Sequence, residues 1–384
     1  KVFDQTSLKT WKQYLTFNTL NAFSSYLTAD LDNESFEFFS KQLNGLKEQR
    51  PQWKRGVNVV NRNLGEVIGK IYVTRHFTPL AKSRMSSLVE NLRNAYGTSI
   101  DDLAWMSADT KKSAHIKLAA FTPKIGYPDQ WEDYSKLSIN SNDLVGNIIR
   151  SRQVSAEKDI SKLGGPIRKW EWGMTPQTVN AYYNPTVNEI VFPAAILQAP
   201  FFNMKADDAV NYGGIGAVIG HEMGHGFDDQ GSKYDATGNL RNWWTEQDMK
   251  EFSTRTKALV EQYAGYQVFE DLNVNGELTL GENIGDLSGV TIAYKAYKAS
   301  LNGNPPPVID GLTGDQRFFM GYAQIWRSKI VEKSMRNRVA TDPHSPGEFR
   351  ALGSLSNMEA FYKAFDVKEG DAMYIAPEKR VKIW

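Results

Sequence analysis

The distribution of apolar and polar positions changes character along the chain. Up to about residue 145, apolar residues recur at three- and four-residue intervals with charged residues between them, the pattern of amphipathic helices. The spacing predicts helices over Thr6–Leu27, Glu34–Leu46, Trp53–Phe77 and Leu80–Tyr96. A fifth helical stretch, Asp102–Phe121, has Ser107 and Asp109 as cap residues for its second half. Pro123, Gly126 and Pro128 then interrupt the pattern. Beyond about Pro176, Thr178–Tyr183 and Glu189–Phe192 are β-branched and aromatic runs on either side of Asn184–Asn188, a hairpin signature. Asp207 and Asp208 can cap the next helix, which carries Gly213, Gly214, Gly216, Gly220 and Gly224. Each glycine costs roughly 0.5–1 kcal/mol against alanine in a helix. Their accumulation predicts close backbone approach, to another helix or to a ligand. Further helices are expected from Thr245, Asp315 and Asn357, with loops at Asn302–Pro307 and Thr341–Pro346.

The glycine-rich helix contains His221-Glu222-Met223-Gly224-His225. Positions i and i+4 share one helix face, so both imidazoles can reach a single Zn²⁺ at roughly 2.0–2.1 Å. Glu222 then sits beside the open coordination position, as the base for an attacking water. A third ligand is available in Gly281-Glu282-Asn283-Ile284-Gly285-Asp286, where Glu282 and Asp286 are again i and i+4. Glu282 would complete a His₂Glu set, and Asp286 would accept the other ring N–H of a ligating histidine. Asp228, three residues past His225, can do the same for that ring. A rival reading exists for Glu282. Asp271–Glu282 fits the EF-hand loop template, with helix-like segments Phe252–Tyr266 and Asn283–Leu301 on either side. Glu282 would there be the bidentate calcium ligand. One carboxylate cannot serve both metals, and zinc is favoured because that reading joins Glu282 to three other residues.

Composition narrows the remaining possibilities. A chain of 384 residues can form one large or two ordinary domains. Lys+Arg 45 against Asp+Glu 44 leaves a formal charge of +1, which gives no reason to expect a nucleic-acid partner. Mean hydropathy is −0.47, and no apolar run is long enough for a membrane span within this chain. There is no cysteine, hence no disulfide and no compartment readable from redox usage. The 10 Trp, 17 Tyr and 19 Phe suit large cores or an apolar cleft. The chain opens Lys-Val-Phe, without Met or a signal segment, and reads as the remainder of a longer protein.

The blocks Asn180-Ala-Tyr-Tyr, Phe192-Pro-Ala-Ala-Ile-Leu-Gln, Asn211–Glu222, His225-Gly-Phe-Asp-Asp, Gly281–Asp286, His344–Arg350 and the terminal Trp384 resemble, in order, the neprilysin family of zinc metallopeptidases, with the endothelin-converting enzymes and bacterial oligopeptidase O. The resemblance implies an α+β, predominantly helical fold, a thermolysin-like zinc peptidase domain plus part of a helical lid domain. Residues 1–40 would be a helix crossing to the catalytic domain, 41–145 an incomplete lid and 146–384 the catalytic domain. It implies an endopeptidase cutting short peptides on the amino side of bulky hydrophobic residues, with one Zn²⁺ per chain. His221, His225 and Glu282 would bind the metal and Glu222 would activate water. Asp286 would orient His221, and Asp228 would orient His225. His344 would stabilise the oxyanion. Asn180, Ala181 and Arg350 would hold the substrate backbone, and Ile196, Phe201, Phe202, Val218 and Trp326 would form the apolar subsite. Peptides are the implied partners, with the absent upstream segment of the same protein. An extracytoplasmic location, periplasmic or secreted, follows from the resemblance. Met223-Gly224 replaces the family's usual Ile-Thr, Gly285 its usual alanine, and Val381 a cysteine of vertebrate members; all remove no ligand. From a different class, a non-catalytic peptide- or protein-binding module that retains the fold is the alternative.

Overall fold

A computed structural model describes residues 1–384, predominantly helical with one three-stranded and one two-stranded sheet. The chain groups into two units: residues 1–68, 131–168 and 330–337 form the first, and residues 69–130, 169–329 and 338–384 the second. The expected linear partition at residues 40 and 145 does not coincide with these units. The helix Pro79–Asp101, expected in the lid segment, packs on the helix Leu280–Ser300 and buries Met85, Leu88, Leu92 and Tyr96. An apolar stripe shows which face of a helix is covered, and is silent about which element covers it.

The first unit contains the helices Leu8–Phe23, Gln52–Asn63 and Leu144–Ile160, and Ala29–Ser35 running into a π-helical stretch, Phe36–Gln42. Leu144–Ile160 forms where no helix was expected. The expected single helix Trp53–Phe77 is broken at Leu64 (φ −136°, ψ 35°), just before Gly65, a poor helix former. Ile148 is the one buried apolar side chain of this unit. Phe3, Leu8, Phe17 and Trp53 are instead 75, 70, 70 and 68 % exposed.

In the second unit, β1 (Thr122–Gly126), β2 (Tyr182–Asn184) and β3 (Glu189–Pro193) form a sheet in the order β1-β3-β2. β2 and β3 are the expected hairpin, Tyr182 opposite Val191, though Thr178–Ala181 stays irregular. β1 pairs parallel with β3, Thr122 opposite Glu189, and was not expected because Pro123 and Gly126 read as breakers. Proline is tolerated there because β1 is an edge strand, whose backbone has one unpaired side. β3 is buried along its whole length, as a central strand requires.

Asp207 caps the glycine-rich helix, which runs as Asp208–Asn211, a π-helical stretch Tyr212–Gly216, and Ala217–Gly224. A Cβ on Gly220 would lie 2.8 Å from the Gly289 carbonyl oxygen, and one on Gly289 2.5 Å from that of Ala217. The glycines therefore let this helix meet Leu280–Ser300 backbone to backbone, which is the helix rather than the ligand alternative.

Behind this pair, buried Asp248 joins two more helices, Ala108–Ala119 and Glu246–Ala264. It accepts from the Ser107 N–H at 2.9 Å and from the hydroxyls of Ser107, Thr110 and Thr245. Burial alone would raise its pKa, but these four donors outweigh that and lower it. We expect Asp248→Ala to cost about 2–4 kcal/mol by urea unfolding, since the donors lose a buried acceptor. A carboxylate with a depressed folded pKa stabilises above its unfolded pKa of about 3.9 and loses that contribution as pH falls. The difference between wild type and variant should therefore shrink below about pH 4; a gap constant from pH 7 to pH 3 would contradict the assignment.

Candidate metal centre

The glycine contact brings the two histidines and the two carboxylates together. His221 lies on Ala217–Gly224 and His225 caps it, so their rings meet edge to face one turn apart, centroids 4.5 Å apart at 84°. Glu282 stands in the first turn of Leu280–Ser300 and faces both. Its Oε2 is 3.2 Å from His221 Nε2 and its Oε1 3.6 Å from His225 Nε2. The candidate ligand atoms of His221, His225 and Glu282 all lie within 4.8 Å of one another, a separation one small cation can bridge.

The donor chemistry fits a zinc ion. Both Nδ1 atoms are turned away from the cluster: His221 Nδ1 meets Asp286 Oδ1 at 2.9 Å and His225 Nδ1 meets Asp228 Oδ2 at 2.7 Å. The carboxylates thus leave both Nε2 lone pairs for the centre. Glu282 Oε2 is buried among His221 Nε2 and His344 Nε2 at 3.2 Å and Arg350 Nη2 at 3.5 Å, yet makes no well-aligned hydrogen bond. A buried carboxylate oxygen in that state calls for a cation. Burial would lower the pKa of His221, yet Asp286 and Glu282 outweigh it and hold it up at about 10. The pKa of Glu282 is held far below the carboxylate range, burial being overcome by His221, His225 and His344. The same negative field that favours protonated imidazole would favour a divalent ion. A Cβ on Gly285 would lie 2.8 Å from the His221 ring, so the departure from alanine has a consequence: the imidazole occupies that space.

Glu222, on the same helix, is 5 % exposed. Burial raises its pKa against the opposing pull of His221 and His225, toward the range in which a carboxylate can both take and return a proton. His344 directs Nε2 to Glu282 Oε2 at 3.2 Å, while Nδ1 meets Asp342 Oδ1 at 2.8 Å. Asp342 was not foreseen; its signal was the Asp-Pro-His spacing, which lets a carboxylate fold back on the backbone N–H and ring two residues later. Arg350, expected on the substrate backbone, gives Nε and Nη2 to Asp286 at 2.7 and 2.8 Å and lies 3.9 Å over the face of Trp326. Only Nη1 is outside these bonds.

The remaining expected residues are dispersed in role. Asn180 is exposed and Ala181 buried, just ahead of edge strand β2. Ile196, Phe202 and Val218 are buried in the core and Phe201 is half-buried. Trp326 borders a pocket of about 460 Å³ with His344, Arg350 and Asp342. A second pocket, about 490 Å³, is lined by Tyr183, His225, Asp228 and Glu282. The EF-hand reading does not survive. Glu282 is committed to the imidazoles, Asn275 Oδ1 accepts from the Leu278 N–H, and Leu272–Asn273 pairs with Gln267–Phe269 in a β-ribbon.

Two histidines one turn apart, a carboxylate from a second helix and an adjacent buried glutamate form a candidate metal site of the gluzincin arrangement. The chain belongs to peptidase family M13, whose two models match residues 1–128 and 180–381. It is 38 % identical over 382 residues to human (Homo sapiens) endothelin-converting enzyme 1, covering 97 % of this chain and 49 % of that protein. It is 37 % identical over 365 residues to neprilysin of Oryctolagus cuniculus, covering 91 % and 48 %. The zinc metalloprotease Zmp1 of Mycobacterium tuberculosis, solved with an inhibitor, superposes with TM-score 0.96 at 53 % identity, covering all of this chain and 59 % of that one. PepO of Lactobacillus rhamnosis superposes with TM-score 0.90 at 34 % identity, covering 97 % and 58 %. The chain spans about half the length of the curated relatives it matches. No helix is long and apolar enough to cross a membrane.

Proposed function

We propose that this chain is the catalytic part of a zinc-dependent endopeptidase that hydrolyses short peptides on the amino side of bulky hydrophobic residues. The observation that carries the reading is the convergence of the ligand atoms of His221, His225 and Glu282 within 4.8 Å of one another, beside the buried Glu222. Zinc held by these three side chains, one ion per chain, would polarise the scissile carbonyl and acidify the attacking water. Glu222 takes a proton from that water and returns it to the leaving amine. His344, its Nδ1 held by Asp342, presents Nε2 to the oxyanion that develops on the carbonyl. Asp286 and Asp228 fix the two ligating rings.

Support for peptide binding comes from β2, whose outer edge has no strand partner and to which an extended peptide can add, starting at Asn180 and Ala181. Arg350, with Nη1 outside its bonds to Asp286, is assigned to the substrate backbone as well. The apolar subsite after the cut is assigned to Trp326 with Ile196, Phe201, Phe202 and Val218, although the pocket that Trp326 borders is also lined by Arg327, Arg338, Asp342 and Arg350. The apolar face of the first unit is read as the surface for the further half of the polypeptide that the relatives possess. An extracytoplasmic site of action completes the reading.

The test is hydrolysis of a panel of short peptides varied at the residue after the cut, with metal analysis of the same preparation. We expect about one zinc per chain, cleavage before Phe, Leu or Ile, complete loss with a chelator, and recovery on adding zinc back. Stoichiometric zinc with no cleavage of any peptide would instead establish the non-catalytic module.

A further inference from the structure

The second unit contains a buried cation that the proposed chemistry does not use. Lys117, on the helix Ala108–Ala119, is 1 % exposed. Its ammonium donates to the carbonyl oxygens of Gly231 at 2.6 Å and Tyr234 at 2.7 Å. It also lies 5.7–5.9 Å from the ring centroids of Phe227, Trp243 and Tyr183, within cation–π range. Burial of a lysine among aromatic rings is unfavourable, and here brings its pKa down to about 7. Methionine or leucine would fill the space without that penalty, so the position of the two bonds it makes is informative.

Both carbonyls belong to the turn that follows His225. Asp228, which holds His225 Nδ1 through Oδ2, uses Oδ1 to accept from the N–H groups of Gln230 and Gly231 at 2.8 and 2.6 Å. Gly231 is therefore gripped twice, by Asp228 at its N–H and by Lys117 at its carbonyl. A carboxylate that orients an imidazole is only as well placed as the backbone it is bonded to. The main chain of Lys117 is itself anchored: its carbonyl accepts from Asn188 Nδ2 at 3.1 Å, and Asn188 Oδ1 accepts from the Tyr183 hydroxyl at 3.0 Å.

We propose that Lys117 is a positioning residue for the metal centre. By clamping the 231–234 turn against Asp228, it holds His225 Nε2 on the point where His221 and Glu282 converge. The inference rests on the zinc reading of that centre.

The experiment compares zinc affinity, by competition with a chromogenic chelator, in wild type, Lys117→Met, Lys117→Gln and Asp248→Asn, each with its apo melting temperature. Asp248→Asn loosens the same helix Ala108–Ala119 through Thr110, without touching the 231–234 turn. We expect Lys117→Met to weaken zinc binding about 5–10-fold, somewhat less than loss of a group bonded directly to a ligand. Lys117→Gln, which keeps one shorter donor, should lie between it and wild type, and carries the test should the methionine variant not fold. Asp248→Asn should lower the melting temperature with zinc affinity unchanged. A folded Lys117 variant with wild-type zinc affinity overturns the proposal, as does an equal loss of affinity in Asp248→Asn. Wild-type protein that binds no zinc would instead overturn the reading on which the proposal rests.

Discussion

Glu222→Gln is expected to lose peptide hydrolysis by on the order of 10²–10⁴-fold in kcat while binding zinc as wild type does. The glutamate contributes no metal-ligand atom to the His221, His225 and Glu282 set, so its amide cannot weaken the grip on the ion. Gln matches its volume in a site that is 5 % exposed, so packing is preserved. What is removed is the ability to accept a proton from water and hand it on, the task for which burial raises the carboxyl pKa. Parallel measurement of kcat on a peptide and of zinc by chelator competition separates the two effects. A variant that retains more than a tenth of wild-type turnover would assign the base elsewhere. Loss of zinc together with activity would mean that Glu222 shapes the metal site itself.

The second large effect should come from Asp286→Ala. This carboxylate is 1 % exposed and serves two partners, His221 through Oδ1 and Arg350 through both oxygens. Removing it leaves the buried Arg350 guanidinium without its hydrogen-bonded counter-charge and with only Glu282 Oε2, 3.5 Å from Nη2, nearby, which costs about 3–5 kcal/mol. It also frees the His221 ring to rotate, for an expected loss of zinc affinity of about 10–100-fold. The two consequences are separable. Adding Arg350→Met to the variant removes the stranded charge, so urea unfolding should recover much of the stability while zinc affinity stays low. A single variant less than about 1 kcal/mol below wild type would show that the Asp286–Arg350 pair is not desolvated as its burial implies.

Arg350 shows what a resemblance to known proteins leaves unsaid. Its position in the His344–Arg350 block suggested a hand on the substrate backbone, and the fold shows its guanidinium mostly spent on Asp286 and on the face of Trp326. The difference has a physical cause. An arginine has five N–H donors and can support a metal ligand's carboxylate while keeping one edge free, and sequence position does not say how the donors are shared. β1 is a similar case. Pro123 and Gly126 are breakers by local propensity, but a parallel pairing to β3 supplies an edge on which proline is harmless. The break at Leu64 was hidden for the opposite reason: apolar residues at helical spacing continue across Leu64, and the chain's turn there is set by backbone conformation rather than by the pattern.

Sequence alone determined the donors and their local spacing. His221 with His225, and Glu282 with Asp286, must each share a helix face, because a helix of 3.6 residues per turn leaves no other arrangement. The same periodicity placed most of the helices of the first 120 residues, and β-branched runs around a turn placed the hairpin at Asn184–Asn188. Tertiary structure decided that these two faces meet, through glycines whose missing side chains admit the opposing backbone. It also decided that Arg350 turns inward to Asp286 and that Lys117 reaches across from a distant helix to the turn behind His225. Such contacts join residues tens to more than a hundred positions apart. Their energies come from burial and hydrogen bonding between elements, which no local pattern of residues encodes.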